Sequence, residues 1–195
     1  GDVYKRQAYN PAVAHVQPVR KALGIPTIFN TLGPLLSPGR PSLQIMGIAN
    51  PAQGQLIAEV FRELGRKRAL VVHGAGTDEI ATHGTTQAWE LNDGETVTYE
   101  LTPEDLGIKR HELTDLTGGD GAANARALRA VFAGRGEPAH CDAIAATAGA
   151  MFYLNGTKET IAAGVTHAKE LIGSGTVEQW LTLHENANYA VGEES

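Results

Sequence analysis

Cysteine is nearly absent. Cys141 is the only one in 195 residues, which excludes a disulfide framework and any zinc site built from several thiolates. No stretch of about 18 apolar residues occurs, so no segment reads as a membrane-spanning helix. There is no basic run, and 16 Lys and Arg face 22 Asp and Glu for a formal net charge of −6. That balance argues against nucleic acid as the main partner. Gly1–Gln7 has no apolar centre and does not read as a secretory signal. A Gly-x-Ser-x-Gly elbow and a Walker loop are both missing, so serine hydrolysis and ordinary NTP hydrolysis lack their residues. What is present is an ordinary globular composition, 42% hydrophobic and 19% charged. A chain of this length buries roughly 70% of its unfolded surface, enough for a real core. The expectation is a cytoplasmic enzyme or binding domain.

Two apolar periods alternate along the chain. Ser42–Ile48 alternates with period two and reads as a strand. Asn50-Pro51 then supplies an N-cap and a proline at the first helical position, and Leu56, Ile57, Val60, Phe61 and Leu64 follow with helical spacing up to Gly65. Arg68–Gly74 is a short, continuously apolar strand of the kind buried on both faces. Residues 42–74 therefore read as a βαβ unit with a parallel strand pair. Asn92-Asp93-Gly94 between Gln87–Leu91 and Glu95–Leu101 is a strong hairpin signal, and Thr102–Asp105 starts a short helical turn. From about residue 120 the pattern is helical, with runs around Leu128–Phe132, Ile144–Leu154, Ile161–Ile172 and Thr176–Glu185, and a frayed tail after Asn186. The expected fold is α/β: a mostly parallel central sheet flanked by helices, with a hairpin excursion and a helical C-terminal part.

Three segments could carry chemistry. Gly74-Ala75-Gly76-Thr77-Asp78-Glu79 follows the buried strand directly, and ligands of open α/β sheets bind beyond the carboxyl ends of strands. Adjacent carboxylates there can hold Mg²⁺, which favours one or two carboxylates plus substrate phosphates. On spacing alone, solvation is the commoner fate of an Asp-Glu pair. Gly24–Pro38 joins an apolar stretch to Asn30 and a Gly33-Pro34 corner. Arg20 precedes it among mostly apolar neighbours, able to meet a carboxylate bidentately or simply to snorkel. Thr117-Gly118-Gly119-Asp120-Gly121 looks like a phosphate cradle, yet no convincing strand precedes it and Asp120 is well placed as an N-cap. The histidines at 15, 73, 83, 111, 140, 167 and 184 show no metal-ligand spacing with one another or with Cys141.

Taken together, Tyr9-Asn10-Pro11-Ala12, Val19-Arg20 and Leu23-Gly24-Ile25-Pro26-Thr27-Ile28-Phe29-Asn30-Thr31-Leu32-Gly33-Pro34-Leu35 closely resemble the anthranilate phosphoribosyltransferases. So do Val71-Val72-His73-Gly74 with Thr77-Asp78-Glu79-Ile80, and the later Gly118-Gly119-Asp120 with Asn124-Ala125. The Thr-Ile-Phe-Asn-x-Leu-Gly-Pro-Leu string is highly specific, and the resemblance covers about residues 8 to 185.

The resemblance implies a transferase that moves the phosphoribosyl group of phosphoribosyl pyrophosphate to the amine of anthranilate, in tryptophan biosynthesis. It implies that Arg20 meets the anthranilate carboxylate, that Gly33-Pro34 lies along the anthranilate channel with Asn10 nearby, and that Asp78 and Glu79 bind Mg²⁺ at the pyrophosphate. It assigns no catalytic base in this segment. Asn10 stands where the family usually has histidine, Pro26 where a basic residue is common, and Thr147 where asparagine is usual. Asn10 can still donate a hydrogen bond but cannot titrate near neutrality. The family's glycine-rich phosphate loop, its Lys-His-Gly-Asn segment and its N-terminal helical domain have no counterpart here. The chain is thus expected to be an unmatched leader (1–7), an incomplete phosphoribosyltransferase domain (8–185) and a tail (186–195), inactive in isolation, from a parent that dimerises through the helical domain. Two alternatives are a non-catalytic relative that binds nucleic acid or a protein, and a pyrimidine nucleoside phosphorylase.

Overall fold

The structure, a computed structural model, describes residues 28–36 and 39–192 together with residue 22. Asn10 and Arg20 lie outside the described residues. The elements run α1 (Ile28–Leu35), β1 (Leu43–Gly47), a 3₁₀ turn (Pro51–Gln53), α2 (Gly54–Glu63), β2 (Arg68–Gly74), β3 (Thr86–Asn92), β4 (Glu95–Leu101), a second 3₁₀ turn (Leu113–Leu116), α3 (Gly121–Phe132), α4 (Pro138–Leu154), α5 (Ile161–Gly173) and α6 (Thr176–Gly192). Among the described residues no helix is long and apolar enough to cross a membrane.

The βαβ unit forms as its sequence dictates. The Asn50 side chain accepts from the Ala52 amide at 3.1 Å, and Pro51 opens the 3₁₀ turn that leads into α2. Gly65, at φ +73°, ends the helix in a conformation that an L side chain resists. β1 then pairs with β2 in parallel, Leu43 opposite Arg68 and Gly47 opposite Val72.

The α/β class matches the sequence, but the sheet is mixed, not mostly parallel. Its order is β1-β2-β3-β4, and only the β1–β2 pair is parallel. The hairpin is no excursion. β3 pairs antiparallel with β2 along its whole length, Gly74 opposite Thr86 and Arg68 opposite Asn92, and Ala88, Trp89, Glu90 and Leu91 are buried. Asp93 (φ 46°) and Gly94 (φ 91°) make its two-residue turn, both left-handed as a type I′ turn requires.

Alternation along the strands separates two cores. Leu70, Val72 and Ala88 face Ala145, Ala146, Ala150 and Leu154 of α4 and Val165 of α5. Ala69, Val71, Met46, Trp89 and Leu91 face Leu35 of α1 and Ile57, Ala58 and Phe61 of α2. The small-residue run Ala145–Ala150 lets α4 and α5 touch backbone to backbone. A Cβ at Gly164 would lie 2.2 Å from the Gly149 carbonyl oxygen, and one at Gly149 would lie 2.5 Å from the Val165 nitrogen.

Toward the Arg68 end of β2, buried Glu90 accepts from the hydroxyls of Tyr99 and Tyr153, each at 2.8 Å, and pairs with Arg68 at 3.3 Å. Arg68 also donates to the last carbonyls of α4, Tyr153 at 2.9 Å and Leu154 at 3.0 Å. Burial, then the Glu90 charge and hydrogen bond, push the Tyr99 hydroxyl far above the usual tyrosine range. The C-terminal helix α6 continues to Gly192, past the expected fraying point at 186. Its last turns, Glu185 to Val191, contain neither glycine nor proline to stop it.

Candidate functional site

The segment 75–85 rises from the carboxyl ends of β1 and β2. Ala75 and Gly76 take φ of +46° and +89° and turn the chain sharply. Gly74 and Thr77 exchange backbone hydrogen bonds at 3.0 and 2.9 Å, the Thr77 hydroxyl donates to the Gly74 carbonyl at 2.7 Å, and the Ala75 amide donates to Thr85 at 3.0 Å. Beyond the carboxylates the loop dives inward: Ile80, Ala81 and Thr82 are buried, and the Ala81 amide donates to the Thr86 hydroxyl at 2.8 Å. Asp78 and Glu79 are left exposed at the crest.

Two glycines make this placement possible. A Cβ at Gly47, the last residue of β1, would sit 1.6 Å from the Asp78 carbonyl oxygen. One at Gly74 would sit 2.3 Å from the Glu79 carbonyl oxygen and 2.6 Å from the Ala81 nitrogen. Real Cβ contacts are never that short, so the loop lies directly on strand backbone where only glycine fits.

The electrostatics fit a cation. Partial burial, and then the neighbouring Asp78 charge, raise the Glu79 carboxyl above its ordinary value. A divalent ion between the two carboxylates would remove that repulsion. Among the described residues no cluster of three or more His, Cys, Asp or Glu could enclose a metal by itself. A two-carboxylate donor set suits Mg²⁺, which completes its shell with water and substrate phosphate oxygens.

Beside the loop opens a cavity of about 780 Å³, walled by Ile80, Leu116, Leu128 and Ile144, with Glu79, His83, His140 and Asn124 also lining it. Thr147 also lines it. This volume is in the range of small-molecule sites. Sequence reasoning missed it, because the loop supplies only one side and the other walls come from residues 113–148, far along the chain.

The Gly33-Pro34 corner belongs to α1. Pro34 sits inside α1, and its carbonyl accepts from Gln44 Nε2 at 3.0 Å, while Gln44 Oε1 is held by buried Arg66 at 3.2 Å. Gln44 is near the start of β1 and Gly47 at its end, three residues or roughly 10 Å along the strand. Thr117–Gly121 caps a helix. Asp120 accepts from the Ala123 amide at 2.7 Å, and Asn124 Oδ1 takes the Gly119 amide at 2.8 Å, which consumes donors a phosphate would need. Most histidines have structural partners: His73 donates to the Ile48 carbonyl at 2.9 Å, His111 to Asp142 at 2.8 Å, and His184 stacks on Trp180.

Residues 3–178 match the family model described as "Glycosyl transferase family, a/b domain". An anthranilate phosphoribosyltransferase of Corynebacterium aurimucosum is 78% identical over 182 residues, covering 93% of this chain and 53% of that protein. The crystal structure of anthranilate phosphoribosyltransferase from Thermus thermophilus superposes with a TM-score of 0.79 at 38% identity, over 88% of this chain and 51% of that one. The Saccharomyces cerevisiae enzyme in complex with PRPP and Mg does so with a TM-score of 0.75 at 30% identity, over 85% of this chain and 48% of that one. The chain spans about half the length of the relatives it matches. It shares with them both the fold and the sequence of the loop-bearing domain, and it belongs to the glycosyl transferase family.

Proposed function

We propose that this protein serves anthranilate phosphoribosyl transfer: anthranilate and phosphoribosyl pyrophosphate give N-(5-phosphoribosyl)anthranilate and pyrophosphate. The observation that carries the reading is the Asp78–Glu79 pair, exposed on a glycine-seated loop at the carboxyl ends of parallel strands. The identity to the Corynebacterium aurimucosum enzyme and the yeast complex titled with PRPP and Mg support it. Residues 8–185 form the unit concerned.

In this reading Asp78 and Glu79 hold Mg²⁺, which when bound offsets the charge of the departing pyrophosphate. The loop's hydrogen bonds and its seat on Gly47 and Gly74 keep the carboxylates fixed before substrate arrives, so little reorganisation is needed during transfer. Arg20 pairs bidentately with the anthranilate carboxylate and orients the amine toward the anomeric carbon. Gly33, Pro34 and Asn10 border the acceptor path, where Asn10 orients through a hydrogen bond without changing charge.

The test is substitution within the protein containing this chain. Asp78→Ala and Glu79→Ala are expected to lower kcat/KM for phosphoribosyl pyrophosphate at least tenfold and to raise the Mg²⁺ concentration needed for half-maximal rate. Arg20→Ala is expected to raise KM for anthranilate at least tenfold. An unchanged Mg²⁺ dependence removes the role of the carboxylates, and unchanged anthranilate saturation removes that of Arg20. Phosphorolysis of thymidine by the same preparation would replace the reading with that of a nucleoside phosphorylase.

A further inference from the structure

A second group of charged residues stands behind the carboxylate loop. Asp142, on α4, is 8% exposed and spends both oxygens on neighbours: Lys169 Nζ of α5 lies 2.7 Å from Oδ1, and His111 Nε2 lies 2.8 Å from Oδ2. His111 is the inward-facing residue of a short surface segment, between exposed Arg110 and Glu112, and its side chain is 9% exposed. Its own backbone amide donates to the Thr82 carbonyl at 2.9 Å. Thr82 is 1% exposed, its hydroxyl has no partner, and it lies on the return limb of the loop that presents Asp78 and Glu79.

From this geometry we infer that Asp142 is a positioning residue for the carboxylate loop, acting through His111. The inference rests on the metal-binding reading of Asp78 and Glu79. Lys169 orients the Asp142 carboxylate, and its second oxygen captures the His111 ring in a hydrogen bond strengthened by charge. With the ring captured, the 109–112 segment is held where its amide meets Thr82, which stops the loop from sliding off the end of β1. Loss of Asp142 affects the two partners unequally. Lys169, with 37% of its side chain exposed, can turn to water. The His111 ring would be left buried without its acceptor, so the segment must move to solvate it, and the hold on Thr82 goes with it.

The experiment measures hydrogen exchange in the full 195-residue chain for wild type, Asp142→Leu, His111→Leu and His111→Gln. Mn²⁺ binding by electron paramagnetic resonance is measured on the same samples. Asp142→Leu, which removes the acceptor, and His111→Leu are expected to speed exchange of the Ala75, Thr77 and Ala81 amides at least tenfold, with amides of β2 and α5 changed less than twofold. His111→Gln keeps an N–H for Asp142 and should restore most of the protection. The Mn²⁺ dissociation constant should rise at least fivefold in His111→Leu and recover in His111→Gln. Unchanged loop exchange in His111→Leu overturns the inference. So does acceleration spread equally over the loop, α4 and α5, which is what a merely structural tie would give. His111→Leu keeps the test decisive should Asp142→Leu not fold. Failure of the wild type to bind Mn²⁺ would count against the metal reading alone, since the exchange pattern decides the positioning role by itself.

Discussion

Gly47→Ala is the smallest change that bears on the loop's placement. The added methyl would stand 1.6 Å from the Asp78 carbonyl oxygen and 2.6 Å from its carbonyl carbon. Both are backbone atoms, so no side-chain rotation relieves the clash. The loop must back away until the contact exceeds about 3 Å, or the end of β1 must bend, and Asp78 moves either way. Overpacking of this kind costs about 1–3 kcal/mol. In a protein of this size each kcal/mol lowers the melting temperature by roughly 2–4 °C. Urea unfolding followed by circular dichroism reads the stability, and Mn²⁺ binding reads the displaced carboxylates. Gly121→Ala is the control, since a Cβ there meets nothing within 4 Å. A Gly47→Ala protein with wild-type stability and wild-type Mn²⁺ affinity would refute the claim that the loop rests on β1.

Other predictions follow from the packing. Arg68→Met removes the charge partner of buried Glu90 and two bonds to the end of α4; urea unfolding should show a loss of about 3–5 kcal/mol. Replacing Glu90 by Leu in the same protein should recover part of it, because no buried charge is then left alone. Gly164→Ala drives a methyl into the Gly149 carbonyl and should cost about 1–3 kcal/mol by the same assay. Tyr99 is raised in the folded state, so its contribution is fully present below the ordinary tyrosine value of 10.0 and is lost as pH rises above it. The urea midpoint should therefore fall between pH 9 and 11, and fall less in Tyr99→Phe.

Local signals in the sequence carried the local structure. Asn50-Pro51, Asp93-Gly94 and Asp120 each act through their own neighbours in the chain, and each forms the cap or turn their chemistry demands. The Asp78–Glu79 pair was legible because it directly follows a strand buried on both faces. The sheet order was not. Whether a hairpin stands apart or continues a sheet depends on β3 meeting β2 across an intervening loop, and that pairing leaves no periodic trace. The glycine seat of the loop joins residues 47 and 78, and the tie behind it joins residues 82, 111, 142 and 169. Contacts over such distances come from packing and have no local pattern. Arg20 stands out by its mostly apolar neighbours as well as by the resemblance, Asn10 by the resemblance alone, and the roles of both are proposals.

The most direct measurement is anthranilate consumption, followed by loss of its fluorescence, in this chain joined to the remaining half of the Corynebacterium aurimucosum enzyme. With phosphoribosyl pyrophosphate and Mg²⁺ present, the joined protein is expected to consume anthranilate, and Asp78→Ala with Glu79→Ala is expected to abolish it. A folded joined protein that leaves anthranilate untouched, or one whose turnover survives loss of both carboxylates, would contradict the account.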